Sequence, residues 1–404
     1  MKDNILFVSF FTGVTGNCPA EWADDKLAVL EKAYQISLVT CIYSSQASVP
    51  NKNVFKLPSI SVIDFYTELR EASRRNVKLP ILSILFWLPS ILTIGIVIDI
   101  VSLLIKRKIS GAKVSWAIPA FFVMIYICIT RRVKFVFSTG GAVSAQIASS
   151  LFGIFTSKKI VCEFQDPLVG SAMNRIGISR IVEKFIIYSS YKTVFVTKAA
   201  CKAAQTRNPK MAGKIFAKYP GAQVCNLDNT NSSFDKSIKL IHVGTLYGSR
   251  NLNELIRAIK IAKESLDEEF SIEIINVGEI YCDERDQYVD SGLVTIVGEK
   301  PRQEALAFLE NGMPLLIQHI DSRSEETIPY KTYDYLNSGR TIFGVLYSKE
   351  LFSLLDDGVN LVSNKDPDRL VENIIALATR KTYLRGDPNT WTVEKSLSEL
   401  LEDI

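Results

Sequence analysis

Histidine is nearly absent. The 404 residues hold two, His242 and His319, far apart in the chain, so a histidine-based metal centre has no support. The seven cysteines, at 18, 41, 128, 162, 201, 225 and 282, form no C-x-x-C pair, and several fall inside apolar runs. That pattern argues against a zinc ribbon or a disulfide framework and fits reduced thiols in a cytosolic compartment. There is no surplus of charge either. The formal net charge is +4, and no Lys/Arg stripe is interleaved with aromatics, which disfavours nucleic acid as a partner. No G-x-G-x-x-G follows the first apolar run, where the spacing is Gly13-x-x-Gly16, so a Rossmann oxidoreductase is a weak rival reading. The start, Met1-Lys2-Asp3-Asn4-Ile5, leads straight into an apolar run without a signal-peptide pattern, an expectation of residence on the cytoplasmic side.

What is present is alternation. Short apolar runs, beginning with Ile5 to Phe10, alternate with helical patterns up to about residue 220 and again from about 237. The polar stretch 221–236, with Asn226, Asp228, Asn229, Asn231, Ser232 and Ser233, reads as a linker between the two series. The expected organisation is therefore α/β: a Rossmann-like domain over 1–220, a second over 237–385, and a tail over 386–404 whose amphipathic segment Val393 to Leu401 returns to the first domain.

The most informative stretch runs from Ser324 to Arg340. It follows Pro314-Leu315-Leu316-Ile317-Gln318-His319, which reads as a buried strand, and Pro329 suits the first turn of a helix that Gly339 ends. Charged groups gathered where a strand gives way to a helix lie where open α/β sheets bind ligands, and a helix N-terminus there favours an anion. A phosphorylated ligand is the natural expectation.

Glu326 and Asp334 stand eight positions apart with Lys331 between them, in the order Ile328-Pro329-Tyr330-Lys331-Thr332-Tyr333-Asp334-Tyr335-Leu336-Asn337-Ser338-Gly339-Arg340. This resembles the E-x7-E signature of retaining GT-B glycosyltransferases, in particular their bacterial family 4 branch; here the second Glu is Asp334 and the Pro that usually closes the motif is Thr341. Gly244-Thr245-Leu246-Tyr247-Gly248-Ser249-Arg250 resembles a second element of that family, whose glycines let the backbone approach a nucleotide-sugar and whose basic residue meets its diphosphate. The lysine often found five positions further on is Leu255.

The resemblance implies two Rossmann-like domains facing a cleft. It implies a donor site at Gly244, Thr245, Arg250, Lys331, Asp334 and Glu326, with Glu326 at the sugar hydroxyls and Asp334 at the ribose. Gly13 and Gly16, which from the residues alone mark only a tight turn, become candidates near the donor phosphates or the acceptor. Asp166, at the end of the run Lys159 to Phe164, becomes the acceptor-side catalytic candidate, although an Asp before Pro167 also commonly caps a loop. The activity implied is retaining transfer of a sugar from a nucleotide-sugar to a polyprenyl-diphosphate-linked saccharide, as in cell-surface polysaccharide synthesis, with no metal and no cofactor. The non-enzymatic alternative is a membrane-associated scaffold with a degenerate form of the fold.

One insertion, about 77–132, departs from the alternation. Leu79 to Ile105 and Val114 to Ile129 are almost wholly apolar, and each approaches the ~20 residues that cross a bilayer. Two crossings would strand Lys106, Arg107 and Lys108 outside and would place Asp99 in lipid at a cost of ~3 kcal/mol. Helices lying in the interface of the cytoplasmic leaflet are therefore expected, against the alternative of a pair of buried core helices, with Arg74, Arg75, Lys78, Lys113, Arg131, Arg132 and Lys134 available to anionic headgroups.

Overall fold

Short runs rich in valine, isoleucine and phenylalanine become the strands of two separate parallel sheets in the computed structural model, which describes residues 2–105, 113–170, 176–227, 237–266, 270–364, 366–379 and 388–404. The basic trio Lys106, Arg107 and Lys108 and the linker positions from Asp228 to Lys236 lie outside the described residues. The chain divides into two compact units, Met1–Pro220 with Ser396–Ile404, and Gly221–Lys395.

In the first unit the strands are β1 (Asn4–Val8), β2 (Gln35–Cys41), β3 (Lys52–Leu57), β4 (Val133–Ser138), β5 (Lys159–Phe164), β6 (Lys192–Phe195) and β7 (Ile215–Ala217), ordered β3-β2-β1-β4-β5-β6-β7. In the second they are β8 (Ser237–Val243), β9 (Ser271–Val277), β10 (Val294–Ile296), β11 (Met313–Ile317), β12 (Phe343–Leu346) and β13 (Leu361–Asn364), ordered β10-β9-β8-β11-β12-β13. Each sheet thus grows outward from its first strand on one side and then resumes on the other. This is the doubly wound order, and the crevice outside the strand ends at the reversal is where such sheets take ligands. The reversal falls between β1 and β4 in one unit and between β8 and β11 in the other.

Parallel strands with helices on both faces must be apolar throughout, and β1 and β11 are buried at every position. Polar residues punctuate the helices. Asn17 accepts from Ala20 N–H ahead of Cys18–Ala33, and Thr197 accepts from Ala200 N–H ahead of Lys198–Arg207. At the C-terminus the helix Val393–Leu401 leads to residues fixed within the first unit, where Ser396 Oγ donates to the Tyr219 carbonyl (2.7 Å) and Lys192 Nζ donates to the Leu400 carbonyl (2.9 Å).

The two apolar runs behave differently. Val114–Trp116 forms a 3-10 turn and Ala117–Thr130 a helix; Trp116, Ala120, Met124 and Ile127 are fully buried in the first unit's core, while Phe122, Tyr126 and Ile129 are exposed. The second run is therefore a core helix on one face and exposed on the other. A run without polar residues can still bury half its circumference.

The first run stays exposed. Ile81–Ser90, a π segment Ile91–Gly95 and Ile96–Ile105 follow one another; Pro89 brings no N–H to the helix, and Thr93 Oγ1 donates to the Pro89 carbonyl (2.7 Å) in the widened turn that follows. Ile81–Leu103 is the only helix among the described residues long and apolar enough to cross a membrane. One narrow stripe holds it to the first unit. Trp87, Ile91 and Gly95 recur every four residues, and a side chain at Gly95 would collide with the Ile60 carbonyl at 2.2 Å. Asp99 continues the stripe by accepting hydrogen bonds from Ser61 Oγ and from the backbone N–H of Val62 and Ile63, so its charge faces protein donors and not lipid.

Several of the basic flanks are also engaged within the chain. Glu71 takes Arg74 (3.1 Å) and Arg75 (3.2 Å), Asp64 takes Lys113 (3.1 Å), and Asp3 takes Lys134 (3.6 Å).

Candidate donor site and its surroundings

The second unit brings the predicted residues to the reversal of its sheet. The loop 244–251 leaves the end of β8, and the segment carrying Glu326 leaves β11, the neighbouring strand. The segment contains a 3-10 turn, Ser322–Glu325, before the helix Lys331–Asn337. That helix begins two residues later than Pro329 suggested and spans only seven residues, because Tyr330 is still in the preceding turn. Gly339, at φ +68°, takes up the left-handed position that follows its end.

Lys331 occupies the first position of this short helix and points back to β8. Its Nζ lies 2.8 Å from His242 Nε2, and a Cβ placed on Gly244 would meet Nζ at 3.0 Å. Gly244 itself sits at φ +115°. Both the backbone angle and the ammonium behind it demand glycine there. Thr245 follows, half-buried, in the same loop. Arg250, also half-buried, lies with its guanidinium 5.5 Å from the Tyr247 ring centroid. Two cations therefore border one small stretch of backbone. Both depress the basicity of His242, whose imidazole is pushed well below its usual range by burial first and by Lys331 second, with a smaller part from Arg250.

The two loops are clasped by groups that the motif did not single out. Ser249 Oγ donates to Asp321 Oδ2 (2.5 Å) and stands 3.1 Å from His319 Nδ1, while Ser324 Oγ donates to the His319 carbonyl (2.8 Å). Glu326 follows directly and is half-buried.

Asp334 is 95% buried, and Arg302 Nη2 donates to its Oδ1 at 2.6 Å, with the guanidinium 4.8 Å from the Tyr330 ring centroid. Arg302 is not among the residues singled out from the sequence, and its partner lies 32 positions on, in a different element. On the same helix, Asn337 donates to the Trp391 carbonyl (3.0 Å) and accepts from Trp391 N–H (2.9 Å), fastening a distant segment of the second unit.

The other three candidates belong to the first unit. Gly13, at φ +59°, has its N–H already taken by both carboxylate oxygens of Asp24 (2.8 and 3.0 Å), and a Cβ there would strike Gln46 N at 2.8 Å. Its role in the structure is to close a loop. Gly16, at φ +72°, has open space where a Cβ would stand. Asp166 is exposed just beyond β5, and desolvation by surrounding atoms still raises its carboxyl above the ordinary carboxylate range. Behind it, a buried ion pair between Lys26 and Glu163 (3.1 Å) steadies the ends of β4 and β5, with Thr139 Oγ1 donating to the same Glu163 oxygen (2.7 Å).

No family model matches this sequence, and no curated protein resembles it closely enough to be matched. Solved structures do. The chain is similar to HepE from Anabaena in complex with UDP (TM-score 0.52, 13% identity, 100% of both chains covered). It is similar to an α,α-trehalose-phosphate synthase (UDP-forming) from Burkholderia vietnamiensis (0.55, 10%, 94% of this chain and 90% of that one). It is also similar to the lipopolysaccharide outer core galactosyltransferase WaaB in its apo form (0.51, 9%, 99% and 100%). At these identities the likeness is one of fold. The fold is GT-B, two Rossmann-like domains built on parallel sheets of seven and six strands.

Proposed function

We propose that this chain is a retaining glycosyltransferase that takes a sugar from a UDP-sugar and passes it to a polyprenyl-diphosphate-linked saccharide at the cytoplasmic face of a membrane. The observation that carries the reading is the meeting of Lys331, Gly244 and Arg250 at the reversal of the second sheet, two cations beside a backbone segment free of side-chain bulk. A departing nucleoside diphosphate gathers negative charge as the glycosidic bond breaks, and fixed cations aimed at that charge are the largest kind of catalytic contribution. Lys331 and Arg250 supply it without a metal. Glu326, leaving β11 beside them, orients the sugar hydroxyls, and Asp334, held by Arg302, borders the ribose. Asp166 is the acceptor-side carboxylate; its raised proton affinity suits a group that accepts a hydroxyl proton. The choice of UDP follows the UDP in the HepE complex and the UDP-forming activity of the trehalose-phosphate synthase.

The membrane part of the reading rests on the helix Ile81–Leu103. It is fastened to the first unit at Ser83, whose Oγ donates to the Lys56 carbonyl (2.8 Å), and again at Gly95 and Asp99. The stretch from Ser83 to Asp99, roughly 24 Å of helix, is thereby laid along the protein, which favours an in-plane helix over a crossing one. Apart from Thr93 and Ser102 its outward face is apolar, with Leu82 84%, Phe86 74% and Leu103 68% exposed, and burying such side chains gains about 1.5–3 kcal/mol each. Calorimetric titration of the full chain with UDP, GDP, dTDP and ADP tests the donor half. Binding of UDP that is lost in Arg250→Ala supports it, and binding of none of the four overturns it.

A further inference from the structure

We infer that His242 and Asn276 are positioning residues for the donor diphosphate, a buried relay in which a neutral imidazole of fixed tautomer accepts a hydrogen bond from Lys331 and so aims its ammonium past Gly244. The inference rests on the proposed donor site and adds two residues to it that never touch the ligand.

The relay can be read atom by atom. Asn276 lies on β9 directly beside His242 on β8, as register partners in neighbouring parallel strands, and both side chains are fully buried. Asn276 Nδ2 donates to the Gly278 carbonyl at 2.6 Å, which turns its carbonyl oxygen to His242. That oxygen has no proton, so across the 2.6 Å contact His242 Nδ1 must be the donor. Nε2 is then left with its lone pair, and across 2.8 Å it faces an ammonium that can only donate. Each member fixes the next, from a backbone carbonyl to a lysine.

The surroundings hold this state. Among the described residues the charged groups acting on His242 are Lys331 on the short helix and Arg250 on the loop after β8; next to it in the chain, Val243 N–H donates to the Tyr335 hydroxyl at 2.9 Å, and burial keeps that phenol protonated. Among the described residues two cations, Lys331 and Arg250, oppose its protonation. An imidazolium would have to direct a proton at the Lys331 ammonium. The neutral form instead converts a flexible lysine into a fixed one. Long lysine side chains lose rotamer freedom when ordered, and the relay meets that cost before a ligand arrives.

The chain contains only two histidines, so its imidazole nitrogen spectrum can be read directly. With the full chain labelled with nitrogen-15 and free of nucleotide, His242→Gln assigns the signals. The expected result is that His242 stays neutral from pH 8 to pH 5.5 with its proton on Nδ1, and that Lys331→Met moves its Nε2 resonance. A proton on Nε2, or an ordinary titration with a midpoint near 6.5, would overturn the relay. The second arm measures UDP affinity. His242→Leu, which offers Lys331 no acceptor, should weaken UDP about tenfold or more, as Lys331→Met does, and His242→Gln, whose amide oxygen can stand in for Nε2, should recover most of that loss. UDP binding by His242→Leu equal to wild type, with Lys331→Met impaired, overturns the positioning role and leaves the donor site intact. Undiminished binding in Lys331→Met instead removes the donor-site reading, and with it the positioning role, whatever the tautomer. Should His242→Leu fail to fold, the spectra of the wild type and of Lys331→Met still decide the relay.

Discussion

Asp99, in the middle of the most apolar helix of the chain, accepts a 2.6 Å hydrogen bond from Ser61 Oγ and caps the helix Val62–Arg74 from outside it. A carboxylate that seemed costly in lipid is a fastener. It joins the exposed helix to the domain at the same residue, Ser61, that also accepts from Asp64 N–H. Replacing Asp99 by Ala removes three hydrogen bonds to a charged acceptor and should lower the stability of the first unit by roughly 1.5–3 kcal/mol, read as an earlier thermal transition. An unchanged transition would show that Trp87, Ile91 and Gly95 hold the helix alone.

The outward face of that helix gives a separate prediction. Leu82→Asp with Phe86→Asp should abolish sedimentation with vesicles containing phosphatidylglycerol while leaving the thermal transition in place, since both side chains are exposed. High salt should release the unaltered chain only in part, because salt screens charges and leaves apolar burial intact. Complete release by salt would mean that the basic flanks, several of which are already paired within the chain, dominate after all.

Lys331→Ala or Arg250→Ala should each weaken UDP binding by ~1.5–3 kcal/mol for the lost charged hydrogen bond. Titration of both variants checks it. Affinities equal to wild type in the pair would remove these residues from the site.

Glu326→Gln keeps the shape of the side chain and removes its charge. If Glu326 acts on the transferring sugar, turnover should fall by orders of magnitude while UDP affinity changes little. A fully active variant would contradict the assignment.

Asp24 offers a pH test of the loop that Gly13 closes. Burial raises its carboxyl from 3.8 to about 6, against the hydrogen bonds from Gly13 and Gln46 that lower it. Between those two values the folded chain holds a proton there that the unfolded chain has released, so the stabilisation this group contributes is present below about 3.8 and is lost as pH rises through 6. Denaturant midpoints measured across that window should show a slope that Asp24→Asn removes. A slope identical in the variant would assign it to other groups.

The parts of this molecule that were legible in the sequence are those set by neighbours along the chain. The alternation of apolar runs and helices gave both sheets, and Gly244 with Arg250 marked a loop at a strand end because glycine and arginine act through local geometry. What escaped were relations between strands and across elements. The His242 to Asn276 contact depends on the register of β8 with β9, and the Arg302 to Asp334 pair joins residues 32 apart. The two apolar runs look alike in composition, yet one buries Trp116 and Met124 while the other exposes Leu82 and Phe86; composition does not say which surface already has a partner. The Gly13 to Asp24 contact escaped for the same reason, since nothing near Gly13 in the sequence shows that Asp24 takes its N–H.

The most direct test of the central claim is transfer itself. Full-length chain is incubated with a UDP-sugar labelled in the sugar and with vesicles carrying polyprenyl-diphosphate saccharides, and label is counted in the lipid phase. The expected result is lipid-bound label that disappears in Glu326→Gln and keeps the anomeric configuration of the donor. Label that stays wholly in the aqueous phase across a panel of UDP-sugars and acceptors, with UDP bound normally, would contradict transfer to a lipid-linked acceptor.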